Sequence, residues 1–113
     1  MMHPPYKDHP LWRSAMSLTR DAYALAERLR TEAPELARRL RKAAVSIPAH
    51  VAGALSAEPG SRREDVLAAR GALAELSRQA SRAQGEDSRG VARRAEELDR
   101  IVLQELAKTG PAA

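Results

Sequence analysis

The chain has 113 residues, and its 23 Ala and 13 Leu, with few β-branched residues and no Phe, indicate one all-α domain with a modest core. The absence of cysteine excludes disulfides, thiolate metal sites and cysteine nucleophiles. The formal net charge of +4 permits contact with phosphates or acidic partners, but 16 of the 19 basic residues are Arg, and a GC-rich coding sequence explains this equally well.

Four helices are predicted in chain order, at about 10–30, 34–56, 62–84 and 88–108. The first carries a stripe of apolar residues from Leu11 to Leu29 at three-and-four spacing, the period of one buried helix face. The second begins near Pro34. Proline is tolerated in the first turn of a helix, because the amide hydrogen that it lacks would have no acceptor within the helix. Ser61 and Glu64 have the spacing of a capping box at the start of the third helix.

Gly85 suits the C-terminal cap of the third helix, and Asp87 or Ser88 can cap the fourth. Segments 1–9 and 109–113 are predicted to be flexible. When helices of similar length are joined by short connections, consecutive helices usually pack side by side and antiparallel. The predicted fold is therefore an up-down-up-down antiparallel four-helix bundle over residues 10–108.

The second half of the predicted second helix lacks a polar face. Val45, Ala49 and Ala52 occupy the side that basic residues hold one to two turns earlier. A helix that is apolar all round needs cover on every side, and one small bundle covers only one face. We therefore expect a homo-oligomer with its interface at Val45, Ala49, His50, Ala52 and Gly53. The alternative is that alanine is neutral on a surface and Val45 is a single exposed apolar residue.

Pro48 lies inside this segment and cannot donate to the carbonyl of Ala44. We expect a kink, or a break at which Ser46 caps the second half. The irregularity is either a hinge or a simple bend around the core.

Residues 40–52, with the sequence LRKAAVSIPAHVA, resemble the signature of the 23S ribosomal RNA intervening-sequence proteins, also called the four-helix-bundle protein family. Residues 11–16 with Tyr23 resemble the first helix of that family, and residues 69–73 with Glu75 resemble its third. The correspondence covers most of 11–106. His50, Gly53 and Ala54 stand where the family usually has Asn, Glu and Gly, which leaves open what those positions do here.

This resemblance implies a small cytosolic bundle that assembles into a ring, commonly of five subunits. The family is named after genes that lie inside an inserted segment of ribosomal RNA, and a genomic position is not an activity. A related branch serves as the accessory protein of diversity-generating retroelements, where it binds a reverse transcriptase and nucleic acid through a basic surface.

One cluster of charge is a candidate nucleic-acid site. Arg38, Arg39, Arg41 and Lys42 place four positive charges in five residues. Repeated by rotation in a ring, they would concentrate positive potential that attracts phosphates without reading base sequence. Arg62 and Arg63, near the start of the third helix, are candidates to join them. The alternative is a solvated basic face that keeps the oligomer soluble.

No catalytic or cofactor site is predicted. The sequence has no nucleophile beside a base, no glycine-rich phosphate loop and no metal-ligand spacing among its three histidines. His50 is interpreted as an interface or capping residue rather than a metal ligand.

No apolar run reaches the roughly 20 residues of a transmembrane helix, and the first ten residues lack the apolar centre of a signal peptide. We expect a cytoplasmic protein with no membrane contact.

Two functions are compatible with these observations. The first is a non-enzymatic, homo-oligomeric bundle that acts as a binding or scaffolding module, with RNA or DNA as ligand and RNA preferred. The second is a structural module that docks a protein partner, such as a polymerase or reverse transcriptase, and has no nucleic-acid role. The three aromatic residues of the chain are too few for a platform that stacks single-stranded bases, so any nucleic-acid contact is expected to rest on charge.

Overall fold

The computed structural model describes residues 6–58 and 62–106, and every regular element within these ranges is helical. A 3-10 turn (Tyr6–Asp8) precedes helices α1 (Pro10–Leu29), α2 (Pro34–Val45), α3 (Ile47–Ser56), α4 (Arg63–Ala80) and α5 (Glu86–Leu106). Helices α2 and α3 are consecutive and both pack on α1 and α4, so they form one leg. The legs α1, α2–α3, α4 and α5 make a helical bundle, and the all-α prediction is confirmed.

Each leg runs antiparallel to the legs beside it. Side-chain contacts show this, because residues late in one helix meet residues early in its neighbour. The pairs are Arg28–Asp87 and Asp21–Arg94 between α1 and α5, Ser77–Glu96 and Arg70–Asp99 between α4 and α5, and Glu27–Arg41 and Thr19–Ala44 between α1 and α2. The short connections between legs account for this arrangement.

The core is built mainly from leucine and alanine. The stripe predicted on α1 is buried in full, and it comprises Leu11, Ala15, Leu18, Ala22, Leu25, Ala26 and Leu29. Leu40, Ile47, Leu73 and Leu76 from the other legs are also fully buried. Alanines between these larger side chains let the helices approach closely, so a chain without Phe still forms a continuous core.

Residues 6–9, which belong to the segment predicted to be flexible, contact the start of α1. Tyr6 packs edge-on against the ring of Trp12, with the ring centroids 5.6 Å apart. The Nδ1 atom of His9 accepts a hydrogen bond of 3.1 Å from the amide of Leu11. His9 is therefore the N-cap of α1, and the aromatic contact holds the turn before it against the bundle.

The predicted helix 34–56 is two helices, with the break at Ser46. Pro48 has no amide hydrogen, so the carbonyl of Ala44 lacks its usual helical donor. The hydroxyl of Thr19 in α1 lies 3.4 Å from that carbonyl oxygen. Ser46 keeps right-handed helical dihedral angles (φ −92°, ψ −7°), and its side chain makes no capping hydrogen bond. Of the outcomes left open at Pro48, the break is observed without the expected cap.

The connection between α4 and α5 also differs from the prediction. Helix α4 ends at Ala80 rather than 84, because the amides of Arg82 and Ala83 donate to carbonyls three residues earlier, at 3.0 and 3.2 Å, instead of four. Gly85 has φ +117°, a backbone conformation that favours glycine, so it reverses the chain rather than capping α4 directly. Helix α5 then begins at Glu86, two residues earlier than expected.

Some predicted features lie outside the described residues. These are the capping residue Ser61, positions 1–5 of the N-terminal segment, the last residues predicted for the fourth helix and the tail 109–113. Helix α4 itself begins at Arg63, with Arg62 in the N-cap position and no capping hydrogen bond from its side chain.

Arg28 ties the end of α1 to the start of α5. Its guanidinium donates to both carboxylate oxygens of Asp87, at 2.6 and 2.8 Å, and to the carbonyl oxygen of Gln84 at 2.7 Å. The hydrogen bond from Arg28 is the main cause that lowers the pKa of the Asp87 carboxyl below its ordinary value. Both side chains are partly exposed, so water screens the pair.

We expect Asp87→Asn to lower the melting temperature at neutral pH. Because the folded protein holds the pKa of Asp87 below its unfolded value, the carboxylate stabilises the fold above the unfolded pKa of about 4 and loses this effect as pH falls through the folded pKa. The two melting temperatures should converge in acid. Melting followed by circular dichroism at a series of pH values measures this. Glu86→Gln, the neighbouring acid of the same helical turn, is the control, and an equal effect there would assign the change to the helix dipole instead.

Candidate nucleic-acid interface

The basic residues of α2 lie on the side of the helix that faces away from the core. Ala37, Leu40, Ala43 and Ala44 are buried, which leaves positions 38, 39, 41 and 42 toward solvent. The helix period of 3.6 residues produces this division, and the sequence pattern predicts it.

Two of the four basic side chains have an acidic partner within the chain. Arg38 pairs with Glu35, one turn earlier on the same helix. Arg41 lies 3.7 Å from the carboxylate of Glu27 on α1. The first pair follows from three-residue spacing, whereas the second depends on how α1 and α2 pack.

Arg39 and Lys42 make no hydrogen bond or ion pair with any residue that the structure describes. Their spacing of three residues places them on one side of α2, where both line an open groove between α2 and α4. We call this the α2–α4 groove, and its volume is about 510 Å³. Ala43 and Ser46 complete its wall on the α2 side, and Ala72, Glu75 and Gln79 form its wall on the α4 side.

The α4 wall of the groove carries oxygen acceptors. The Nε2 atom of Gln79 donates to Glu75 at 2.6 Å, and Arg78 also bonds to that carboxylate. The pKa of Glu75 is therefore lowered, chiefly by the Gln79 hydrogen bond and then by Arg78, with a further contribution from the positive charge of Arg39. The Oε1 atom of Gln79 is buried and has no hydrogen-bond donor among the described residues.

Arg62 and Arg63 do not join the basic cluster. Arg62 bonds to the carbonyl of Ala57 at the end of α3, whereas Arg39 lies level with Glu75 and Gln79, far along α4. At 1.5 Å per residue, the two groups are about 20 Å apart along the helix axis. Within one chain they form two separate basic regions.

The five residues predicted for an oligomer interface divide into two groups. Val45 is 58% exposed, and Ala49, one helical turn later, is also exposed. His50 and Gly53 instead face Asp65 of α4. The Nδ1 atom of His50 lies 3.4 Å from that carboxylate, and a Cβ added at Gly53 would come within 2.7 Å of it. Ala52 is half-buried between the two groups.

This contact explains why glycine fits at position 53, since a larger side chain would displace Asp65 from His50. It accounts for two of the five predicted interface residues by packing within the chain. The exposed apolar surface at the break between α2 and α3 is therefore centred on Val45 and Ala49.

Comparison with protein-family models, with curated proteins and with solved structures finds no match. The family resemblance of residues 40–52 therefore stays a prediction from the sequence. In the part of the chain that the structure describes, no group of three acidic or histidine residues could hold a metal ion, and no helix is long and apolar enough to cross a membrane.

The α4 wall of the groove was missed by sequence reasoning. Glu75 and Gln79 are four residues apart, a spacing that puts both on one face of a helix. The same pattern is typical of any solvated helix surface, so it becomes informative only when α2 is seen to lie against it with two unpaired basic residues.

Proposed function

We propose that this chain is a non-enzymatic, homo-oligomeric helical bundle that acts in the cytoplasm and binds RNA through the basic segment 38–42 of α2. The observation that carries the proposal is the pair Arg39 and Lys42, two basic residues with no ion-pair partner among the described residues, beside an open groove. Charged side chains left unpaired on one face are available to phosphates. The cytoplasmic location and a ring, commonly of five subunits, are what the family resemblance implies.

Self-association is supported by the exposed apolar surface at Val45 and Ala49. A valine that is 58% exposed in the middle of a leg loses contact with water if a second copy covers it. A ring would also repeat the basic segment around its axis and raise the positive potential along one surface.

We expect the purified chain to have a native mass that is a multiple of 12.3 kDa at micromolar concentration, and Val45→Asp to reduce it to a single subunit. The added carboxylate would have to lose its hydration inside an apolar interface, which is strongly unfavourable. Native mass spectrometry and sedimentation measure the change. The matched control is Ala24→Asp, which adds the same charge at an exposed site on α1. A wild-type chain that sediments as one subunit would contradict the ring.

RNA binding is tested by gel shift with ribosomal RNA fragments over a salt series. Each phosphate contact on a single strand contributes about 0.7 to the slope of log affinity against log salt. A site of two or more basic residues per subunit, repeated in a ring, should therefore weaken steeply as salt rises. Complete absence of a shift at low salt would remove the RNA proposal.

A second candidate function is the docking of a protein partner, and the same exposed apolar surface at Val45 favours it. In that case the apolar area would contribute most of the affinity, and binding would depend weakly on salt. A reverse transcriptase or another polymerase is the partner class that the family resemblance implies. Co-purification at high salt that fails for Val45→Asp would favour this function over RNA binding.

A further inference from the structure

The two walls of the α2–α4 groove differ in hydrogen-bonding character. The α2 wall presents the guanidinium of Arg39, the ammonium of Lys42 and the hydroxyl of Ser46, all of which can donate. The α4 wall presents the carboxylate of Glu75, which accepts, and the side chain of Gln79, whose Oε1 atom is buried as the chain stands. A ligand that matches both walls has an anionic group on one side and N–H donors on the other.

Gln79 is the second observation that points to a ligand. Its side chain is more than nine-tenths buried, its Nε2 atom is held by Glu75, and its Oε1 atom has no donor among residues 6–58 and 62–106. A buried acceptor without a donor has lost its hydration with no compensating bond. A rotation of this amide that exchanges its bond to Glu75 for one to a ligand would bring the oxygen to the groove, where a ligand N–H can satisfy it.

The volume of the groove limits the size of the ligand that it can hold. About 510 Å³ lies within the range of small-molecule sites and accommodates one nucleotide. Ala43 and Ala72 face the space from opposite helices and leave room for a flat group. The groove has no aromatic lining, so a base there would be held by its hydrogen-bonding edge and by contact with the alanines.

We propose that the α2–α4 groove holds one nucleotide of a bound RNA strand, with its phosphate against Arg39 and Lys42 and the edge of its base against Glu75 and Gln79. This inference rests on the proposed RNA-binding function and adds a specific site to it. Proteins that recognise single-stranded RNA commonly hydrogen-bond the Watson–Crick edge of an unstacked base. Phosphate contacts on α2 would fix the strand, and acceptors on α4 would read the base.

The acceptor wall predicts which base fits. The Watson–Crick edge of guanine has an N1–H and a neighbouring amino group, so it offers donors to both the carboxylate and the amide oxygen. Uracil has one N–H between two carbonyl oxygens, and those oxygens would face the acceptors of α4. Guanosine should therefore bind more tightly than uridine.

The test uses the full-length chain and two variants that keep its net charge. Ala72→Leu fills the groove, and Gln79→Met removes the polar atoms of that side chain at similar volume. Binding is measured for two single-stranded RNAs of equal length, one containing only uridine and one with interspersed guanosines. One hydrogen bond to a charged or buried acceptor corresponds to about a tenfold preference for the second RNA. Both variants should lose this preference and keep the salt slope of the wild type.

Ala24→Leu is the control, because it adds the same side chain at an exposed position on α1. Helical content and melting temperature confirm that each variant is folded. If the wild type binds RNA and both groove variants retain the guanosine preference and the affinity, the groove proposal is overturned while the RNA-binding function stands.

If the wild type binds no RNA, the proposed function fails and the groove is judged separately with guanosine monophosphate. The nucleotide is titrated into isotope-labelled protein and followed by NMR. Shifts centred on the Gln79 side-chain amide and on Ala72, absent with uridine monophosphate, would support a nucleotide site in the groove. No shift at these residues would overturn it.

Discussion

Replacing Leu73 with alanine is expected to lower the free energy of unfolding by about 3 kcal/mol, which corresponds to a melting temperature about 15 °C lower for a domain of this size. Leu73 is on α4 and is completely buried. The variant loses the transfer free energy of the removed carbons and leaves a cavity that a tightly packed core fills only in part.

Leu67→Ala is the matched control for this variant. It makes the same exchange on the same helix, so helix propensity changes equally, but Leu67 is 53% exposed. We expect a change within about 0.5 kcal/mol. Denaturant unfolding at one fixed protein concentration measures both variants, since self-association would make stability depend on concentration. Equal losses for the two variants would contradict the core described for α4.

Much of the fold could be predicted because apolar spacing and helix-breaking residues are local signals. The stripe from Leu11 to Leu29 identifies the buried face of α1 without knowledge of its neighbours. The ends of helices were less predictable. The break at Ser46 depends on whether Pro48 bends or interrupts the helix, and the end of α4 depends on a change from four-residue to three-residue hydrogen bonds at Arg82.

The site was predicted only in part, because side-chain pairing between helices is not visible in sequence. The charge of Arg41 is clear from the chain, but its partner Glu27 is on a different helix. Asp65 contacts His50 and leaves no room for a Cβ at Gly53, and it too lies on a different helix from these residues. The sequence therefore places Arg38 and Arg41 in the same cluster as Arg39 and Lys42. The local spacing of Glu35 and Arg38 allows one pair to be anticipated, whereas the pairing of Arg41 depends on the packing of the bundle.

This separation predicts that the double variant Arg39→Glu with Lys42→Glu will bind RNA about tenfold or more weakly than the double variant Arg38→Glu with Arg41→Glu. Each takes the formal net charge of the chain from +4 to zero, so long-range attraction to RNA falls equally in the two. The difference then reports local contact. The first variant removes two basic residues without an ion-pair partner from the groove, whereas the second removes two that pair with Glu35 and with Glu27, which Arg41 shares with Arg30.

Gel shift or fluorescence anisotropy over a salt series distinguishes the two variants. If Arg39 and Lys42 together contact one phosphate in the groove, their removal should lower the slope of log affinity against log salt by about 0.7. The slope should change much less when Arg38 and Arg41 are reversed. Melting curves show whether each variant is folded. Little destabilisation is expected, because Arg38, Arg39 and Lys42 are exposed and Arg41 is only half-buried. Equal loss of affinity and equal slopes in the two variants would mean that RNA responds to the overall charge of the chain, and the unpaired residues of the α2–α4 groove would then have no special part in binding.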